Sequence, residues 1–244
     1  MKTLNGILSL SVAIIAIALC SQASAEIVGA DDFSEPNGTA VSGKLADVGG
    51  APWAAPGAQT IAGGILDTDL VGEHEGSFLD LTRALGPGEI LTMTFTSSET
   101  AGSLFEPGGY AGLSLFVGGS EKLFIGDPGG AQVVNGWALD GFAGGGPSTY
   151  TGLGSEAVSG TFTYNYDSGV GTLLVSDGVN SGSAIHNYDP ALALNRLRIQ
   201  SGSTAAAAIA IDSFSISIAT VPEPTSLALL AMGVAGCMAC TRKR

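Results

Sequence analysis

Two-residue alternation of apolar and hydroxyl side chains is the feature that most limits what this chain can fold into. Leu91, Met93 and Phe95 alternate with Thr92, Thr94 and Thr96, and Val158, Phe162, Tyr164 and Tyr166 (with Gly160) alternate with Ser159, Thr161, Thr163 and Asn165. Leu197 and Ile199 alternate with Arg196, Arg198 and Gln200, and Phe214, Ile216 and Ile218 with Ser213, Ser215 and Ser217. Successive side chains of a strand point to opposite faces, so this pattern buries one face of a sheet and wets the other. No stretch between the two ends of the chain carries a 3.6-residue period, which excludes a helical bundle. Ile209 and Ile211 have the opposite parity to Phe214, and a β-bulge is expected near Asp212. Further strands are predicted over 26–32, 60–66, 77–81, 110–117, 122–125, 133–139 and 172–176. The 37 glycines and 10 prolines punctuate these runs as turns, and no Gly-X-Y period makes the chain collagenous. Around eleven short strands in one domain predict an all-β fold, an antiparallel two-sheet jelly-roll sandwich.

Charge narrows the partners. The chain has 22 acidic and nine basic residues, and charged residues are 13% of it against roughly 25% in an average domain. Residues 26–221 hold 21 acids against Lys44, Arg83, Lys122, Arg196 and Arg198, a net −16. Basic residues cluster only in the last three positions, so nucleic acid is excluded as a partner. The cysteines are Cys20, Cys237 and Cys240, all in the terminal segments, so the domain between them relies on its core and not on disulfides. The Cys-x-x-Cys spacing of Cys237 and Cys240 has neither two further ligands nor a βαβ context, and reads as filler of an apolar helix.

The two ends read as addresses. Lys2, an apolar run over 7–19 and Ala23-Ser24-Ala25 describe a secretory signal peptide over 1–25, with Ala23 and Ala25 forming the signal-peptidase site. Leu19 stands before Cys20 where a lipobox needs a small residue. At the other end, Pro222-Glu223-Pro224 precedes fifteen uncharged residues over 226–240, and Arg242, Lys243 and Arg244 follow. A transmembrane helix is expected over about 225–241, at the lower limit of ~17 residues for a span, with its basic end on the cytoplasmic side. This tail over 221–244 resembles the PEP-CTERM sorting signal of Gram-negative bacteria. Pro222, Glu223 and Pro224 match its motif, and Arg242, Lys243 and Arg244 match its basic cluster. The resemblance implies anchoring in the inner membrane, processing by an exosortase-type enzyme, and delivery to the cell surface or extracellular matrix. A simple tail anchor has the same physical form and remains open.

Within the domain, 26–220, the segment Asn165-Tyr166-Asp167-Ser168-Gly169-Val170-Gly171 with Leu173 and Val175 encodes a hairpin with a glycine-containing loop. It resembles the Tyr-Asp … Leu-x-Val hairpin of concanavalin A-like lectins, laminin-G-like modules and glucanases. The opening Gly38-Thr39-Ala40-Val41-Ser42-Gly43-Lys44 with Asp47 and Trp53, the pair Gly112–Phe116 and Lys122–Gly126, and the closing Ile211-Asp212-Ser213-Phe214 resemble the same group. The resemblance implies a concanavalin A-like sandwich and extracellular polysaccharide as a class of ligand.

No chemistry stands out. Hydrolases of that superfamily carry alternating acids on one strand, and none is present. Asp67, Asp69, Glu73 and Glu75 form a loop-like acidic run, and Asp31, Asp32 and Asp212 a second group; both are weak Ca²⁺ candidates. His74 and His186 have no nucleophile elbow beside them, and the glycine runs lack the lysine and helix of a phosphate loop. Trp53, Trp137, Tyr110, Tyr150, Tyr164, Tyr166 and Tyr188 are candidates for sugar stacking. Packing is expected for Tyr164 and Tyr166, and a binding rim for Trp137 and Tyr150 around the loop 141–148. The sequence therefore predicts no catalytic residue, no cofactor and no assigned metal. The expected function is a non-enzymatic surface or matrix protein with a structural, adhesive or weak glycan-binding role; the alternative is a secreted glycan-active hydrolase on the same fold.

Overall fold

The computed structural model describes residues 24–56, 59–68, 76–100, 104–105, 108–129, 136–142, 148–202 and 207–221. Most of the expected signal peptide, the transmembrane helix, Ala23 and the sorting residues Pro222, Glu223, Pro224, Arg242, Lys243 and Arg244 lie outside them. Among the described residues, no helix is long and apolar enough to cross a membrane. Residues 25–219 form one compact unit.

That unit is all β. One sheet runs in the order β12 (Ser181–Asn187), β11 (Val170–Ser176), β10 (Val158–Asn165), β5 (Glu89–Ser98), β14 (Ala210–Thr220), β3 (Ile65–Asp67), β2 (Ile61–Ala62), and β1 (Glu26–Asp31) also pairs with β14. The other runs β4 (Ser77–Asp80), β13 (Arg196–Gly202), β6 (Tyr110–Val117), β7 (Ser120–Asp127), β8 (Ala138–Asp140), β9 (Thr149–Tyr150). Neighbours pair antiparallel, as in β5–β10, where Met93 faces Phe162, and β6–β13, where Leu115 faces Leu197. The alternating apolar residues meet between the sheets. Leu91, Met93, Phe95, Phe162, Leu173 and Ile216 come from one, and Leu113, Leu115, Leu123, Ile125, Leu197 and Ile199 from the other, in a single buried cluster.

Inside this core a glycine is a packing element. Gly160 of β10 lies opposite Phe95 of β5, and a Cβ at Gly160 would stand 2.1 Å from the Phe95 ring. The ring therefore lies over the bare backbone and reaches Trp137, 5.2 Å away between centroids.

Several strands differ from expectation. The run 60–66 is not one strand: Gly63 and Gly64, both at positive φ (67° and 81°), fold it into the β2–β3 hairpin, with Ile61 facing Leu66. Of 133–139, the described part is strand only from Ala138, and the strand continues to Asp140. β9 and β12 had no predicted counterpart; β12 reads Ser-Gly-Ser-Ala-Ile-His-Asn, with Ala184 its one fully buried residue. Burial parity in β14 changes across Asp212 and Ser213, both half-buried, while the register shift against β14 lies in β1, between Ile27 and Gly29.

One buried acid stands out. Asp127, at the end of β7, is 4% exposed and accepts a hydrogen bond from the Gly129 N–H at 3.1 Å. Burial pushes its carboxyl up to about 7, against the opposing pull of that N–H.

Replacing Gly160 by Ala should destabilise the fold by about 1–3 kcal/mol, because the Phe95 ring must leave its place. Urea unfolding checks this. Asp127 makes a second prediction. Between the ordinary aspartate value and about 7, the folded state keeps a proton that the unfolded chain has released. Its stabilising effect is therefore complete below pH ~4, declines as pH rises toward 7 and stays lost above, up to about 4 kcal/mol at ~1.4 kcal/mol per unit of pKa. Asp127→Asn, which can still accept from Gly129, should flatten the pH dependence of stability across that window relative to the unsubstituted protein.

Candidate functional site

The outward face of the eight-stranded sheet is paved with hydroxyls. Thr92, Thr94, Thr96 and Ser98 of β5 lie beside Ser159, Thr161 and Thr163 of β10, in the pairs Thr94–Thr161 and Thr96–Ser159. Thr172 and Ser176 of β11, Ser181 and Ser183 of β12, and Ser213, Ser215 and Ser217 of β14 continue the paving. These are the polar halves of the alternating strands, so the core pattern itself places them. Two hollows indent this face. One, of about 530 Å³, is lined by Thr94, Thr96, Ser159, Thr161, Ser213 and Ser215, and its rim carries Asp31, Asp32 and Asp47. The other, of about 650 Å³, is lined by Ser159, Thr161, Leu174, Ser176, Ser181 and Ser183. Ser159 and Thr161 belong to both, which joins them in one trough across β14, β5, β10, β11 and β12.

The acidic end of the trough is built on a buried ion pair. The Lys44 ammonium donates to both Asp31 carboxylate oxygens, at 2.8 and 2.7 Å, and contacts Glu35 at 2.6 Å. Trp53 Nε1 donates to Asp31 at 2.7 Å, and the Phe33 N–H at 3.0 Å. Burial opposes the charge on Lys44, but its hydrogen bonds to Asp31 and Glu35 outweigh that and lift its pKa. Asp31, Asp32 and Asp47 have carboxylate oxygens within 4.8 Å of one another. Asp212, expected to share this group, instead accepts the Ser98 hydroxyl at 2.5 Å. Asp47 takes its place, and its distance in sequence from Asp31 and Asp32 hid it. Burial and the charges of Asp32 and Asp31 raise the Asp47 pKa, whereas the Ser34 hydroxyl and N–H hold Asp32 low. Asp32 and Asp47 are both exposed, so water screens them and neither is set up as a general acid. The Asp31 oxygens are engaged by protein donors: the Lys44 ammonium, the Trp53 indole and the Phe33 N–H.

The other predicted site residues are dispersed. Asp67 accepts the Thr100 hydroxyl at 2.9 Å, while Asp69, Glu73, His74 and Glu75 lie outside the described residues. His186 contacts the Thr149 hydroxyl at 3.2 Å and packs on Tyr188. Trp137 is not a rim residue: it is fully buried, and its Nε1 donates to the Ser155 carbonyl at 2.9 Å. Trp53 is equally buried. Tyr164 packs in the core as expected and donates to the Asp189 carbonyl at 2.7 Å. The hydroxyls of Tyr150 and Tyr188 are buried without a hydrogen-bond partner, and burial, with Asp140 adding to it, raises the Tyr188 pKa. Among the described residues, no aromatic ring other than Phe95 and Phe214 beneath it lines the trough.

Residues 220–244 match the PEP-CTERM protein-sorting motif. The chain carries that motif. No curated protein matches the chain by sequence. The sandwich is similar to lectin I from Ulex europaeus, solved with the methyl glycoside of α-L-fucose, at 11% identity over 81% of this chain and 98% of that one, with a TM-score of 0.50. A lectin from Bauhinia forficata in complex with GalNAc follows at 13% identity, 82% and 100% coverage and a TM-score of 0.44. A glycosyl hydrolase family protein from Mycobacterium fortuitum has 13% identity, 78% and 99% coverage and a TM-score of 0.39. The fold of this PEP-CTERM-bearing chain is thus the concanavalin A-like sandwich of legume lectins, and identity this low transfers the fold alone.

Truncating one partner of a buried pair leaves the other charge unsatisfied, at about 3–5 kcal/mol. Lys44→Met should therefore lower stability by that amount, read in urea or thermal unfolding. A loss below ~1 kcal/mol would show that the pair does not hold this corner.

Proposed function

We propose that this is an exported, non-enzymatic surface or matrix protein whose hydroxyl trough makes low-affinity contacts with uncharged polysaccharide. The observation that carries the reading is the trough: a row of Ser and Thr across five strands, with no pair of carboxylates across its floor among the described residues. Neighbouring strands are ~4.8 Å apart, so a polymer laid across them meets a hydroxyl row at every strand. With no aromatic platform among the described residues each contact is weak, and affinity accumulates along the polymer by repetition. The net −16 of residues 26–221 disfavours acidic polymers and favours neutral ones.

In this reading, residues 1–25 are removed on export with cleavage after Ala25, the domain is 26–220, and 221–244 is the sorting tail. Pro222-Glu223-Pro224 sits where the extended chain enters the membrane, the helix over about 225–241 holds the substrate in the bilayer, and Arg242, Lys243 and Arg244 keep the far end on the cytoplasmic side. An exosortase-type enzyme is the processing partner, which the match over 220–244 supports.

Native protein recovered from the cell surface tests both halves. Mass spectrometry should find a chain beginning at Glu26 and lacking the tail; the tail through Arg244 in the main species would mean a simple anchor instead. The same protein should be retained on insoluble uncharged β-glucan and pass through an anionic polysaccharide. Thr161→Asp, in the shared middle of the trough, should weaken retention by about tenfold, ~1.4 kcal/mol. No retention on any uncharged polysaccharide would remove the binding role, and release of reducing ends would favour the hydrolase.

A further inference from the structure

Sheet edges expose unpaired N–H and C=O groups, and proteins blunt them with short strands, charges, proline or a covering segment. Most edges among the described residues are managed in one of these ways. β2 and β9 have two residues each. Val48 covers β1, with Ala30 N–H to Val48 O at 2.9 Å and Val48 N–H to Ala30 O at 3.1 Å. Ala54 covers β4 through a matching pair of bonds with Phe78, at 3.0 and 2.8 Å.

Among the described residues, β12 is managed in none of these ways. It has seven residues and neither charge nor proline, and the chain is uncharged from Gly178 through Tyr188. One side of it pairs with β11 along its whole length. Among the described residues, no backbone hydrogen bond reaches its other side. Ile185 on its outward face is 61% exposed, and Leu174 on neighbouring β11 is 53% exposed. With Thr172 opposite Ile185 and Leu174 opposite Ser183, these two apolar side chains lie on one diagonal.

We propose that β12 is an interface between two copies of this chain, paired antiparallel about a twofold axis at Ala184. The strand is complementary to itself in this arrangement. Ser183 falls opposite Ile185 on the outward face and Gly182 opposite His186 on the inward face, small against large in each pair. The Ile185 and Leu174 side chains of both copies then close into one apolar strip. Charge selects the occupant. A unit of net −16 repels its own copy over most of its surface, and this uncharged edge is where two copies can approach. A strand without charge also offers nothing to steer a charged partner. The axis stands perpendicular to the sheet, so both outward faces point the same way and two troughs bordered by Ser181 and Ser183 join into one. The dimer does not depend on what the trough binds.

Residues 26–221, which contain the complete core, are the material for the test. Sedimentation equilibrium from micromolar to hundreds of micromolar should give twice the monomer mass. Ile185→Lys replaces an exposed side chain, so its far-UV circular dichroism should match the parent, while its dimer dissociation constant rises at least ~10-fold. The unit has no cysteine, which allows a register test. An oxidised equal mixture of Ser183→Cys and Ile185→Cys chains should cross-link one variant to the other. A monomer at every concentration overturns the proposal, and so does a dimer that Ile185→Lys leaves intact or a mixture that forms no mixed cross-link.

Discussion

The buried pair of Lys44 and Asp31 is the contact on which the closure of the sandwich rests. Asp31 ends β1, the first strand, which pairs with β14, the last. From there the chain must turn out over the sheet edge and come back, and it does so through Phe33, a non-glycine residue at φ 49°. Such a conformation costs of order 1–3 kcal/mol and persists only where its surroundings hold it. Here they do. The Phe33 N–H is fixed by Asp31, its ring packs on Trp53 and Phe214 at 5.9 and 6.2 Å, and Lys44 Nζ stands 5.7 Å above it. Trp53 brings the returning loop back to the same carboxylate, and Phe214 brings in β14. First strand, return loop and last strand meet on one anion.

This arrangement also bears on the acidic end of the trough. Three carboxylates within 4.8 Å look like a cation site when counted by type. Counted by hydrogen bonds, the central one is already satisfied by an ammonium, an indole and a backbone N–H. The Lys44 ammonium answers that buried carboxylate, and what remains at the rim is the exposed pair Asp32 and Asp47. Their like charge makes that end of the trough inhospitable to anions, in the same sense as the domain as a whole.

The alternating strands were legible because burial imposes a period of two and the residues obey it: Leu91 through Phe95 and Val158 through Tyr164 face the core as written. β12 was not legible, because only Ala184 of its seven residues is fully buried and its small polar residues read equally well as a loop. The β2–β3 turn was hidden by reading Gly63-Gly64 as part of an apolar run, when two positive φ values reverse the chain there. Trp137 misled for another reason. Its neighbours in sequence are rich in glycine and read as a loop, but its partner Phe95 lies 42 positions earlier, and the bare backbone of Gly160 makes space for their contact. The trough itself was present in the sequence as the discarded half of the pattern. The Ser and Thr that mark a strand as half-exposed are the same residues that pave its outer face.

How the acidic excess is spent explains why that face stays neutral. Some carboxylates sit at turns, where they accept backbone N–H groups: Asp177 takes those of Val179 and Asn180 at 2.8 and 2.6 Å, and Asp167 takes that of Gly88. Those bonds pull the Asp177 pKa below the usual carboxylate range, so the turn keeps its charge and its geometry together. The outward faces of β5, β10, β11 and β12 are left to hydroxyls, amides and a few apolar side chains. A sheet built this way gains solubility from its loops and leaves its broad face uncharged, polar and regular. Such a surface has little means of gripping a small ion tightly. It can meet an extended neutral polymer at many equivalent points, and joining two sheets at β12 would double the number of those points without adding a charge.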